Sequence, residues 1–220
     1  MFPLRDSTPS ESFPMVTVLL ILINLAVFIL EIMAGPELLN QLVYVFGLVP
    51  AYLNEPGTLI SYYPLLTSIF LHGGWMHLIG NMWILWLFGD NIEDHMGSGR
   101  FLLFYLVCGL AAGMAHYYIN PQSSIPVVGA SGAVAGVMGA YFLMFRHARI
   151  LTFVPPFFLF TLPAWVYLGF WVLSQLYCGT ADVIAANSCG SIAFWAHIGG
   201  FGAGMLLHRI FLIKEPHSLP

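Results

Sequence analysis

Four polar side chains stand out inside the long apolar runs of this sequence: His77, Asn81, Ser131 and His197. Polar and ionisable groups are costly in such runs, so each calls for an account. A serine becomes a nucleophile when an imidazole takes its proton, and the pair can then attack a carbonyl carbon. Ser131 and His197 supply one such pair. Ser131 sits in Gly129-Ala130-Ser131-Gly132, a tight turn into a helix. Free backbone N–H groups and the helix dipole favour a developing oxyanion at such a turn. His77 and Asn81 stand four residues apart, on one helical face, and would add side-chain donors. No carboxylate completes a triad. Asp90, Glu93 and Asp94 fall at the far end of their helix, and neither Glu31 nor Asp182 has a spacing that ties it to His197. The expectation is a Ser131–His197 dyad whose imidazole is oriented by packing and not by an acid.

The elements that must position these groups follow from composition. Of 220 residues, 59% are hydrophobic and 7% charged. Soluble domains carry about 25% charged residues, so the balance points to a membrane protein. The apolar residues form six runs, 15–33, 75–89, 101–119, 131–145, 153–177 and 191–213, against a span requirement of ~20 residues. The first is too long for a signal h-region and lacks a cleavage site, so it reads as a span that stays. The second and fourth are short. A short helix must start below one surface, shielded by protein or lining a wet cavity, because exposed backbone in lipid is too costly.

Six spans place Arg5, Arg100, Arg146, Arg149, Arg209 and Lys214 on one side, and these are all the Lys and Arg residues of the chain. By the positive-inside rule both termini are cytoplasmic. Spans 2, 4 and 6 then run from outside to inside. His77, Asn81, Ser131 and His197 each lie near the start of one of them, so all four share the outer half of the membrane. Gly200 and Gly204 form a smooth stripe below His197. Ala135 and Gly139 lie below Ser131, with Gly132, Gly136 and Ala140 alongside. Small-residue stripes let membrane helices approach closely, which would bring Ser131 and His197 into hydrogen-bond reach.

Taken singly, these residues have blander readings. His77 and Asn81 would be interhelical hydrogen-bond glue, Ser131 a helix N-cap, and His197 a satisfied buried histidine. Four polar groups at one membrane depth favour a shared site. His72 is expected to hold water or the loop by hydrogen bonds, and the remaining histidines, His217 among them, have no partner pattern. Cys108 reads as inert packing. Cys178 and Cys189 flank a polar loop and pair if it faces an oxidising compartment; two free thiols is the other reading. No HExxH occurs, and no metal or other cofactor is expected. The net charge of -4 and the lack of a basic stripe exclude a nucleic-acid partner. A solute channel or transporter is disfavoured because the two halves share no polar pattern.

Three elements resemble the rhomboid family of intramembrane proteases. His77-Leu78-Ile79-Gly80-Asn81 is similar to its HxxxN element and Gly129-Ala130-Ser131-Gly132 to its GxSG element. Ala196-His197-Ile198-Gly199-Gly200 with Gly204 is similar to AHxxGxxxG. The stretch from Gly89 through Glu93 to Arg100 resembles the family's connection between spans 2 and 3. The resemblance implies an all-α membrane fold, a six-helix bundle with a long, partly embedded loop between spans 1 and 2. It implies Ser131 as nucleophile, His197 as base, Asn81 and His77 with the Ser131 backbone around the oxyanion, and Glu93 as a structural hydrogen-bonding residue. It implies serine endopeptidase activity on single-span or other transmembrane protein substrates, cut near the outer surface. The 1–2 loop and span 5, with Phe157, Phe158, Phe160, Trp165, Phe170 and Trp171, would form flank and gate.

Two positions depart from the family pattern. The aromatic that some members carry four residues after the serine is Ala135 here, so another side chain must hold His197. The Trp-Arg pair of the 1–2 loop is absent. The other family-level reading is an inactive relative that binds membrane clients, against which both dyad residues argue. The expected organisation is a cytoplasmic tail 1–14, a protease domain 15–213 and a cytoplasmic tail 214–220, in a multi-pass protein of a prokaryotic plasma membrane.

Overall fold

A computed structural model describes residues 1–54, 57, 62–156, 158–185, 189 and 192–214. Pro56, Phe157, Ser191, His217 and the rest of 215–220 lie outside the described residues. The chain runs β1 (Phe2–Asp6), α1 (Met15–Phe46), a 3-10 turn at Pro50–Asn54, α2 (Pro64–Thr67), a 3-10 turn at Ser68–Phe70, α3 (Trp75–Met96) and α4 (Ser98–Ile119). It continues through α5 (Ser131–Met144), β2 (Arg149–Val154), β3 (Phe158–Pro163), α6 (Ala164–Ile184) and α7 (Phe194–Phe211). Among the described residues, α1 and α4 are the helices both long and apolar enough to cross a membrane on their own, and α5 is apolar but shorter. Helices α3, α6 and α7 also overlap apolar runs, but Asn, Asp, Gln, His and Gly residues dilute their apolarity.

The first helix continues beyond residue 33, through a kink, to Phe46. Gly35 breaks the helical path at φ 74, ψ 169, and Pro36 follows it. Proline removes an N–H donor and disfavours helix in the residue before it; glycine tolerates the positive φ that results. What was expected as loop from 34 is therefore helical for its first third, with short turns after it.

The expected fifth span, 153–177, is corrected more deeply, and a small sheet accompanies the otherwise all-α fold. Residues 149–154 and 158–163 are antiparallel strands, and the helix begins only after Pro163, at Ala164. Phe158 and Phe160 therefore belong to a strand and not to a helix. Strand β1 pairs with β2 on its other side, so residues expected as a tail complete a three-stranded sheet in the order β1-β2-β3. The alternation is visible within β2, where Ile150 and Thr152 are fully buried while Arg149 is exposed. A short apolar run cannot be told from a helix by apolarity alone, and branched and aromatic residues suit a pleated surface.

Helix α5 sits at the centre, against α3, α4 and α7. Its approach to α7 is backbone to backbone. A Cβ on Gly200 would lie 1.9 Å from the Gly132 carbonyl oxygen, and one on Gly204 1.9 Å from that of Gly136. One on Gly139 would lie 2.1 Å from the Phe201 oxygen. The contact line along α5 is thus Gly132, Gly136 and Gly139; Gly139 belongs to the expected stripe, while Gly132 and Gly136 stand in it where Ala135 was expected. On the α4 side Gly136 meets the buried Cys108, and Gly132 meets Ala112.

The opposite end of the bundle from Ser131 is tied by polar groups. Glu93 accepts from the amides of Val16 (2.9 Å) and Thr17 (2.8 Å) and from the hydroxyls of Thr17 (2.9 Å) and Ser98 (2.6 Å). It caps α1, whose first-turn donors have no intrahelical acceptor, and joins α1 to α3 and α4. Asp94 receives the amides of Glu11 and Ser12 at 2.6 and 3.0 Å. Arg100 donates to the Leu212 carbonyl at 3.1 Å, and Lys214 pairs with Glu11 at 3.3 Å, so early and late residues of the chain meet at this end.

Candidate active site

Ser131 opens α5 and His197 lies in the first turn of α7. The glycine contacts just described draw these two helix starts together, and Ser131 Oγ lies 2.8 Å from His197 Nε2. A hydroxyl donating to Nε2 requires the imidazole proton on Nδ1. Nδ1 lies 2.7 Å from Gln175 Oε1 on α6. The Trp171 ring, one turn earlier on the same helix, packs on the imidazole at 5.8 Å between centroids and 32° between planes. His197 is therefore not oriented by packing alone, as the sequence suggested. Its hydrogen-bond partner is an amide and not an acid, and the ring that Ala135 does not supply comes from Trp171. Gln175 breaks an apolar run and could be flagged by the cost that flags Asn81. Its pairing with His197 crosses two helices, and span order does not give it.

Gly129, His77 and Asn81 gather beside the serine. Gly129 has φ 128, and its amide donates to the Ser68 carbonyl at 2.9 Å. A Cβ there would lie 2.6 Å from His77 Cε1 and Nε2, with Asn81 Nδ2 at 3.7 Å. Only glycine suits both that φ and that approach. Asn81 Nδ2 is buried and has no hydrogen-bond partner among the described residues. The Gly73 amide reaches His77 Nδ1 at 3.4 Å, which leaves Nε2 to carry the proton. Among the described residues no side chain caps α5, and the first-turn amides of a helix have no intrahelical acceptor. Amide, carboxamide and imidazole donors thus converge where Ser131 begins its helix. A cavity of about 30 Å³ adjoins them, lined by Gly129, Ser131, Gly132, Ser68 and Ala196, enough for one or two waters.

Other sequence candidates fall elsewhere. Glu93 lies at the far end of the bundle, in the capping role described above. Glu31 accepts the His72 amide at 3.2 Å, so the backbone of His72 holds this loop. Its ring nitrogens have no partner among the described residues, and the ring stands edge-on to His77 with centroids 5.2 Å apart. Cys178 and Cys189 form a disulfide with Cα atoms 5.5 Å apart, fastening α6 to the segment that leads into α7. Trp165 and Phe170 are exposed on α6. Among the described residues, no three His, Cys, Asp or Glu side chains are grouped to hold a metal.

A family model described as the rhomboid domain matches residues 60–214, which contain α3 to α7 and every group of this site. The chain belongs to the rhomboid family. Its similarity to rhomboid protease GluP of Bacillus subtilis is 36% identity over 127 residues, 58% of this chain and 24% of that protein. It is 31% identical over 146 residues to rhomboid protein 1, mitochondrial, of Saccharomyces cerevisiae, 64% of this chain and 40% of that one. It is 27% identical over 198 residues to the presenilin-associated rhomboid-like protein, mitochondrial, of Homo sapiens, 82% and 47% respectively. This rhomboid chain therefore spans less than half the length of these relatives.

Proposed function

We propose that this chain is an intramembrane serine endopeptidase in which Ser131 is the nucleophile and His197 the general base. The observation that carries the reading is the 2.8 Å contact between Ser131 Oγ and His197 Nε2. As Oγ attacks a substrate carbonyl carbon, its proton passes to Nε2, and the imidazolium then protonates the leaving amine. Water deacylates the serine by the same exchange in reverse. The carbonyl oxygen becomes anionic next to the Ser131 amide, the Asn81 carboxamide and His77 Nε2. Donors fixed in advance in a site poor in water are worth far more than in bulk.

The substrates are transmembrane proteins, admitted from the bilayer and cut near its outer face. In this reading α1, α3, α4, α5, α6 and α7 all cross the membrane, with both termini cytoplasmic. It is supported by the positive charge gathered at the end of the bundle away from Ser131. At ~1.5 Å per residue, the 14 residues of α5 cover ~21 Å of a ~30 Å hydrocarbon core. Ser131 then starts below the outer surface, in reach of water from that side. The membrane proposed is a prokaryotic plasma membrane, a reading that rests on the sequence, since the relatives include both bacterial and mitochondrial proteins.

The test is purified protein with a panel of single-span reporters and a fluorophosphonate probe. The parent cuts a reporter and labels at Ser131; Ser131→Ala does neither and keeps its helix content. His197→Ala loses labelling. Cleavage by the Ser131→Ala protein at the parent rate would overturn the assignment.

A further inference from the structure

We infer that Gln175 is a positioning residue for His197, holding the imidazole in the tautomer and orientation that the dyad needs. The inference rests on the dyad reading above. The side-chain amide of glutamine has one acceptor end and one donor end, and either can face an imidazole. Here the donor end is already committed. Gln175 Nε2 donates to Ser174 Oγ at 3.1 Å, and Ser174 donates its own proton to the Trp171 carbonyl at 2.6 Å. That leaves Oε1 facing His197 Nδ1 at 2.7 Å.

Each donor in this chain then has one assigned acceptor: Ser131 Oγ–H to Nε2, Nδ1–H to Gln175, the Gln175 NH₂ to Ser174, and Ser174 to the helix backbone. If the amide were flipped, its NH₂ would face Nδ1, the imidazole proton would move to Nε2, and Nε2 could no longer accept from Ser131. Trp171 lies four residues before Gln175, so one face of α6 provides both the acceptor and the aromatic surface. Unlike an acid, this neutral acceptor adds no negative charge to the membrane interior.

The experiment compares Gln175→Leu, which removes the acceptor at similar volume, with Gln175→Glu, which restores one. Readouts are the rate of fluorophosphonate labelling of Ser131 and the separate kcat and KM for a single-span reporter. Gln175→Leu is expected to lose roughly 10–100-fold in labelling rate and kcat, a part of the roughly 10²–10⁴-fold that a general base supplies. KM should stay within about twofold, since the bond acts on the base and not on substrate binding. Gln175→Glu should recover most of the loss. Imidazole ¹⁵N spectra of the parent should show the proton of His197 on Nδ1, and Gln175→Leu should mix the two tautomers.

Parent-like labelling by Gln175→Leu would overturn the inference, as would an Nε2–H tautomer in the parent protein. If Gln175→Leu fails to fold, the parent spectrum still decides. The two readings fail separately. Labelling that survives in Ser131→Ala or His197→Ala removes the dyad. Labelling lost in both but retained in Gln175→Leu removes only the role of Gln175.

Discussion

At the scale of single residues, the proposed mechanism makes the site a set of donors waiting for a charge that forms only during reaction. Asn81 Nδ2 is the clearest case, since burial without a partner among the described residues costs stability that a bound oxyanion would return. Asn81→Leu is expected to lower kcat by roughly 100-fold or more, with a small change in KM, measured on the reporter used for the dyad. Gly129→Ala should be more damaging. Its φ of 128 is strained for alanine, and the new methyl would meet the His77 ring at 2.6 Å. Loss of labelling with retained helix content in that variant would match local collapse of the oxyanion corner; parent-like labelling would refute the close approach. That Ser131, His197, His77 and Asn81 lie near one another was legible in the sequence, because a polar group in an apolar run is conspicuous. Gln175 and Trp171 could not be assigned that way, because their meaning lies in a contact between α6 and α7.

At the scale of elements, two packing devices set the geometry. The glycines of α5 and α7 were legible as stripes, since small residues at fixed helical spacing announce a close crossing whatever the function. Their exact facing was not, as the shift from Ala135 to Gly132 and Gly136 records. Gly200→Val should lower the melting temperature in detergent and separate the dyad, because a side chain there meets the Gly132 carbonyl at 1.9 Å. Overpacking of this kind costs about 1–3 kcal/mol or more. The second device is the sheet. Asp6 closes β1 onto α5 by accepting a hydrogen bond from Tyr141, which also lies 2.9 Å from Thr8 Oγ1. Burial raises the pKa of Asp6 above the ordinary carboxylate value, outweighing the bond from Tyr141. With the folded value above the unfolded one, the docked strand holds the proton more tightly. Its docking is therefore fully supported below the unfolded pKa and weakens as pH rises through the folded one. The protection factors of the β1 amides, corrected for intrinsic exchange, should fall over that rise in the parent and stay flat in Asp6→Asn; equal profiles would exclude Asp6 as the source. The sheet was illegible because β3 and the last two residues of β2 fall within the run 153–177, which length alone reads as membrane helix, while β1 and the rest of β2 fall in segments read as tail and loop.

At the scale of the molecule, the two ends of the bundle are built for different tasks. One end carries Glu93, Asp94 and the paired sequence extremities, and it holds helices together. The other carries the dyad, the donors and the disulfide. Because Cys178–Cys189 joins α6 to the approach of α7, reduction should loosen the pairing of Gln175 with His197. Dithiothreitol is expected to slow fluorophosphonate labelling of the parent and to leave a Cys178→Ser/Cys189→Ser protein unaffected; an equal response of both would place the reductant's effect elsewhere. The sheet has one more consequence, and it concerns time. Phe2 pairs with Phe153, across 151 positions of sequence that contain α1 to α5. Ribosomes add about 5–20 residues per second, so β1 waits roughly 8–30 s for a partner strand to be made. Throughout that interval it is an open edge, available to a chaperone or to another nascent chain. The last step in closing this end of the bundle therefore belongs to a strand made before any of the helices, and a change in β1 would act on biogenesis before it acted on catalysis.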